Sequence, residues 1–274
     1  MKSYLLAIAV GLLTFTIEAQ VVSIPDATFL NDLIMIGVDT NKDGKIQVSE
    51  AQTVKVLHLP GVGGILDLTG IEAFTSLENL NCYGNRIKSL DVSQNTSLKT
   101  LDCSQNQIAT LNISGAVNLN FLQCSFNQLS TLDVSQNREL VTIYCYKNQI
   151  TSMDLRNNFS LDTLWNYDNQ LTSLDVTNNN NLDLLVCKDN PPLKQICINK
   201  AQISDTSIWV KDAKAKWNAT CDVVTELDDT QIQTTSKTLE RIYTPLGKAV
   251  LPENAVNGMF IYQYSDGTTR KVMK

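Results

Sequence analysis

Apolar residues return along this chain at a fixed interval of 21 positions. Leu77, Leu98, Leu119, Leu140, Leu161 and Leu182 open the units, and Leu80, Leu101, Leu122, Ile143, Leu164 and Leu185 follow three positions later. Two positions further on stand Cys82, Cys103, Cys124, Cys145 and Cys187, with Asn166 in the remaining place. Asn85, Asn106, Asn127, Asn148, Asn169 and Asn190 come next, and Ile87, Ile108, Leu129, Ile150 and Leu171 complete the pattern L-x-x-L-x-C-x-x-N-x-[LI]. Leu80 and Cys82 alternate with Asn79, Asn81 and Tyr83, a period of two that predicts a short strand with one buried face. One such strand per 21 residues predicts a solenoid whose coils stack their strands into a parallel concave sheet.

The Asn column falls where the chain turns off the sheet. There an amide is placed to satisfy backbone groups of its own and neighbouring coils that burial would otherwise leave unpaired. Asn is correspondingly abundant, 26 of 274 residues. A second apolar pair recurs in each coil, in Leu90-Asp91-Val92, Leu111-Asn112-Ile113, Leu132-Asp133-Val134, Met153-Asp154-Leu155 and Leu174-Asp175-Val176. Its Asp/Asn column faces water. A coil this short has no room for a long outer helix, so short extended segments or tight turns are expected on the convex side.

The outward columns of the sheet carry the candidate binding chemistry. Tyr144, Tyr146, Trp165 and Tyr167 form a two-by-two aromatic block on adjacent coils, with Phe121 beside it and Gln123, Thr142 and Thr163 around it. Aromatic residues favour strands by propensity alone. These positions face away from the core, however, and a cluster of exposed rings is the expected signature of an interface hot spot.

The motif L-x-x-L-x-C-S-x-N-Q-[LI]-x-x-L-[DN]-[VI]-S, intact over 98–114 and 119–135, resembles the bacterial 21-residue leucine-rich repeats of the internalin type. With its inward cysteine ladder it is most similar to the internalin J type and to secreted proteins of Bacteroidetes. The resemblance covers residues 57–198. It implies protein or glycan recognition at a cell surface and no catalysis.

The five ladder cysteines read as small buried hydrophobes. Neighbouring strands about 4.8 Å apart do not by themselves exclude disulfides, but bridging would pull the thiols out of their packed orientations. Cys197 and Cys221 fall outside the period and bracket Trp209 and Trp217. They read either as two free buried thiols or as an oxidised pair stapling a C-terminal cap, 199–222, over the last coil. A similar element in related bacterial repeat proteins implies the pair.

Before the repeats, 20–56 reads as a helical cap. Its segment DTNKDGKIQVSE, 39–50, fits the twelve-residue calcium loop of an EF-hand. Oxygen ligands would come from Asp39, Asn41, Asp43, the Lys45 carbonyl, Gln47 through a water, and both carboxylate oxygens of Glu50. Gly44 allows the sharp turn and Ile46 packs inward. The alternative is an Asp/Asn/Gly turn without an ion. A single loop running into the first coil implies a structural calcium ion, not a sensor.

Composition narrows the rest. A net charge of −6 and a sequence pI near 4.8 argue against nucleic acid as a partner. His58 is the only histidine, and no pair of carboxylates is marked out for acid–base work, so no enzyme is expected. Residues 1–19 read as a signal peptide, with an apolar stretch of about 15 residues that is short for a membrane span, so an integral membrane protein is not expected. After a polar linker, 223–235, the β-rich tail 236–274 resembles the end of a type IX secretion sorting domain. The Tyr-Pro-Asn-Pro-like segment of the full type A domain is not apparent. The expectation is therefore a secreted or cell-surface, non-catalytic protein-binding or adhesion module. Its alternatives are a glycan-binding surface protein and a structural envelope protein.

Overall fold

A computed structural model describes residues 20–59, 61, 64–199, 201–202, 209–219 and 221, and the strands 239–243, 249–250, 259–264 and 269–273. The expected signal peptide and the linker 223–235 lie outside these residues.

Two helices begin the described chain, α1 (Ala27–Met35) and α2 (Val48–Ala51). The strands follow as β1 (Val56–His58), β2 (Asn79–Asn81), β3 (Ser89–Asp91), β4 (Thr100–Asp102), β5 (Thr110–Asn112) and β6 (Phe121–Gln123). Next come β7 (Thr142–Tyr144), β8 (Thr163–Trp165), β9 (Ser173–Asp175), β10 (Leu184–Val186), β11 (Gln195–Cys197) and β12 (Lys216–Asn218). A seven-stranded sheet runs β1-β2-β4-β6-β7-β8-β10, parallel throughout. Its central register row is Leu57, Leu80, Leu101, Leu122, Ile143, Leu164 and Leu185. The repeat period thus becomes lateral strand pairing without slippage. The outer side has only short pieces, β3 paired with β5, and β11 between β9 and β12.

One continuous core runs the length of the coils, and the leucine columns and all five ladder cysteines are buried in it. The Asn column closes each corner in the same way. Asn127 accepts the Ile108 N–H at 2.8 Å and donates to the Cys103 and Cys124 carbonyls at 3.0 Å each. Asn148 does likewise with Leu129, Cys124 and Cys145. The residue ahead of each amide adopts positive φ: Gly84, Gln105, Phe126, Lys147, Asp168 and Asp189. That left-handed turn is costly for residues with a Cβ, yet five of the six corners accept it.

A second amide column stands at the outer corners. Asn137 donates to the Ile113 and Ala116 carbonyls, Asn158 to Val134 and Asn137, and Asn179 to Leu155 and Asn158. Asn95 begins it and Gln202 extends it beyond Asn179.

The ends of the core are closed by different means. Asp26 caps α1 through the N–H groups of Thr28 and Phe29, while its other oxygen accepts from Leu66 at 2.7 Å and Asp67 at 3.1 Å. One side chain therefore fixes both the helix and its seat on the first coil. Phe29 and Leu33 are the buried residues of α1. At the other end Trp209 and Trp217 meet edge to face at 5.7 Å, and Cys197 is disulfide-bonded to Cys221 with Cα atoms 5.8 Å apart. Further along, β13 (Leu239–Tyr243), β14 (Ala249–Val250), β15 (Met259–Tyr264) and β16 (Thr269–Met273) form an antiparallel sheet ordered β14-β13-β15-β16.

Burial pushes the ladder thiols up, Cys187 to about 12 and the other four further. A raised folded-state pKa gives stability that is complete below the unfolded thiol value, near 8.5, and is lost as pH rises towards the folded value. Each thiol should cost about 1.4 kcal/mol per pH unit in that window. The urea midpoint is therefore expected to fall steeply between about pH 8.5 and 11, and less steeply in Cys124→Ala. Equal slopes for the two proteins would contradict a buried thiol at that rung.

Candidate binding face

The strand register puts Asn81, Asp102, Gln123, Tyr144, Trp165 and Val186 in one outward column, because each occupies the last place of its strand. The column two residues further on contains Ser104, Ser125, Tyr146 and Tyr167. The structure brings the expected aromatic residues together. Tyr144 lies 5.1 Å from Trp165 between ring centroids, and Phe121 meets Tyr144 edge-on at 5.8 Å. Tyr146 and Tyr167 stack at 4.4 Å with planes 9° apart, and Phe126 packs against Tyr146 at 5.4 Å.

The expectation of exposed rings needs correcting. Tyr144 is only 5% exposed, and Phe121, Tyr146, Trp165, Tyr167 and Gln123 are half-buried. The reason is the strand spacing of about 4.8 Å, which is close to the thickness of stacked rings. Rings repeated on neighbouring coils therefore cover one another, stacked at Tyr146 and Tyr167 and tilted or edge-on in the other pairs. Phe126, which holds one of the left-handed corners, is more open at 39%. Lys147 lies 4.7 Å over the Phe126 ring and Lys188 6.0 Å over Tyr167.

Burial, aided by the neighbouring Tyr146 and Asp162, pushes the Tyr144 hydroxyl up to about 12. Burial and Tyr146 raise Tyr167 as well, with the charges of Asp168 and Asp189 adding to the effect. Both hydroxyls are thus neutral donors at physiological pH. Towards the first coils the face becomes polar. There burial raises the Asp102 carboxyl, against the opposing pull of its Ser104 hydrogen bonds and the His58 charge. His58 itself is exposed at the end of β1, beside a groove of about 400 Å³ that Ile36, Val38, Thr40, Thr53 and Val54 also line.

Beneath the aromatic block the cysteine ladder is interrupted. Asn166 is 1% exposed, and neither its Nδ2 nor its Oδ1 has a hydrogen-bond partner among the described residues. Its chain neighbours Trp165 and Tyr167 point to the opposite side. A polar defect therefore lies directly under the rings.

In the loop 39–50, Gly44 takes φ +80° and Ile46 is fully buried. Asp39 accepts the N–H groups of Lys42, Asp43 and Gly44, and Asn41 and Asp43 each accept from two residues on. Glu50 accepts from Thr40, Asn41 and Gln47, and the Gln47 amide bonds Asn41 and Asp43. Burial opposes ionisation of Glu50, but the Gln47, Thr40 and Asn41 donors outweigh it and hold the carboxyl below its usual value. The loop is curled around its own acidic side chains. Among the described residues no group of three or more His, Cys, Asp or Glu is poised to hold a metal. The donor types in the loop are nonetheless all oxygens, the set a hard cation takes.

Coil length, strand order and paired amides define this fold as a leucine-rich-repeat solenoid. Residues 64–116 match the leucine-rich-repeat family in its two-copy form. A leucine-rich-repeat protein of Leptospira interrogans superposes with a TM-score of 0.52 at 25% identity, over 62% of this chain and 46% of that one. The chain thus spans under half of that relative. The functional domain of InlJ from Listeria monocytogenes, which includes a cysteine ladder, aligns at 23% identity over 78% of this chain and 64% of that one, with a TM-score of 0.31. The internalin InlF of the same species aligns at 19% identity over 76% of each chain, with a TM-score of 0.40. No curated protein matches the chain. Leucine-rich-repeat solenoids are typically non-enzymatic protein-interaction modules, and no helix among the described residues is long and apolar enough to cross a membrane.

Asn166→Cys would complete the ladder and remove two unsatisfied polar atoms. Unfolding stability is expected to rise by about 1–3 kcal/mol, read as a higher melting temperature. An unchanged or lower value would mean that the amide has a partner, such as a buried water.

Proposed function

We propose that the protein is a secreted or cell-surface binding module that recognises a protein partner on the concave face. The observation carrying this reading is the contiguous outward cluster of Phe121, Phe126, Tyr144, Tyr146, Trp165 and Tyr167 over a core that is already filled. Rings locked by their neighbours lose little freedom on binding, and aromatic residues are favoured as interface anchors. Ring packing also favours protein over glycan. A sugar stacks on an open ring face, whereas Tyr146 and Tyr167 are stacked on each other and Lys188 lies over Tyr167. What the face offers is the half-buried rings of Tyr146, Trp165 and Tyr167 beside the more open Phe126. The basic start at Lys2 and the apolar stretch behind it support export, and the strand-rich tail supports passage through the type IX machinery.

The test uses cross-linked capture of surface proteins alongside a glycan array, each with wild type and Tyr146→Ala/Tyr167→Ala. A protein captured by wild type and lost by the variant, with no array signal, is the expected outcome. Capture unaffected by the variant would move the site off this face. An array signal that the variant loses would favour glycan.

Calcium belongs to the same reading as a structural ion for the N-terminal cap. Asp39, Asn41, Asp43, the Lys45 carbonyl, Gln47 and Glu50 would hold it, binding weakly at about 10⁻⁴–10⁻³ M as extracellular modules do. Binding to the folded state alone raises the melting temperature. Millimolar calcium should therefore stabilise the wild type relative to chelator and leave Glu50→Gln much less affected. Identical melting with calcium and with chelator would reject the ion.

A further inference from the structure

The charge along the concave face is uneven. In the first coils Glu78 is neutralised between Lys55 at 3.1 Å and Lys99 at 2.6 Å. Around Trp165 and Tyr167 the balance reverses. The 21-residue period brings Asp162 and Asp183 to the rim where the strands begin, and Asp168 and Asp189 to the rim where they end. Asp168 and Asp189 are exposed, and Asp162 and Asp183 are half-buried. The coil of Trp165 and Tyr167 and the coil after it thus have a carboxylate at each end of the strand, where the coil of Tyr144 and Tyr146 has Val141 and Lys147.

The chain itself shows what such a frame accepts. Lys188 extends over the Tyr167 ring at 6.0 Å with its ammonium 3.7 Å from Asp189. Lys147 likewise covers a ring, that of Phe126, at 4.7 Å. Asp168 holds the place of Asp189 one coil earlier, and there the preceding residue is Tyr167, so no lysine of that coil supplies the cation. Aliphatic stems of lysine and arginine pack on apolar ring edges while their charged ends reach a polar rim. An acidic segment would meet carboxylates on both sides, and like-charge juxtaposition is costly.

Building on the concave-face reading, we propose that the partner presents a basic polypeptide segment. Its lysine or arginine side chains lie against Trp165 and Tyr167, with their cations reaching the exposed Asp168 and Asp189. The sheet supplies the apolar floor and the rims supply the selectivity for charge.

The probes are two labelled peptides, one of repeating Gly-Ser-Arg and one of repeating Gly-Ser-Glu, titrated against the full chain by fluorescence anisotropy. The Arg peptide should bind with an affinity that falls as salt is raised, and the Glu peptide should not bind. Asp168→Asn/Asp189→Asn should weaken the Arg peptide at least about fivefold, while the convex pair Asp91→Asn/Asp133→Asn should stay within about twofold. Absent Arg-peptide binding, equal binding of the Glu peptide, or equal weakening by both Asp pairs would overturn the proposal. Should Tyr146→Ala/Tyr167→Ala abolish capture of a partner that Asp168→Asn/Asp189→Asn retains in full, the concave-face reading would stand and the basic segment would fall.

Discussion

Each coil turns sharply at its corners, and those turns carry peptide groups into the interior where water cannot reach them. Backbone N–H and C=O groups buried without partners are too costly to tolerate in number. Asn answers this at both corners because a single amide offers donors and an acceptor together. At the inner corner Asn127 links three main-chain groups drawn from two coils. At the outer corner Asn158 and its equivalents donate to two carbonyls of the preceding coil. The coils can be as short as 21 residues because these columns replace the hydrogen bonding that longer secondary structure would supply.

Everything on the concave face inherits that spacing. Three-residue strands in strict register hold the outward columns about 4.8 Å apart, so what one coil carries is placed directly against what the next carries. Repeated thiols become a buried ladder, and repeated rings become a cluster in which each half-covers the next. Repeated carboxylates become acidic rims. The binding properties argued for this face are therefore consequences of the repeat, expressed through whichever side chains occupy it.

Much of this was legible in the sequence because it is periodic. The parallel sheet, the inward cysteines and the inner Asn column all follow from counting in steps of 21. The outer column was equally periodic in Asn95, Asn137, Asn158 and Asn179, but Ala116 breaks it and the exposed Asx residues nearby mask it. Ring burial escaped because alternation tells which way a side chain points and not what stands beside it. The Asp26 bonds to Leu66 and Asp67 span 40 and 41 residues without any repeat to announce them. The unsatisfied Asn166 was visible only as a substitution in a column, and its lack of partners emerged from the packing.

The dependence of the coils on corner amides can be measured directly. The unfolding free energy of Asn127→Ala should be compared with that of Gln128→Ala, whose side chain is exposed one residue away. Losing Asn127 leaves the Ile108 N–H without its acceptor, while the Cys103 and Cys124 carbonyls keep the Asn106 and Asn148 amides, and is expected to cost about 1–3 kcal/mol. Gln128→Ala should stay within about 0.5 kcal/mol of wild type. Equal, small losses for the two variants would show that the amide column is not what holds the coils together.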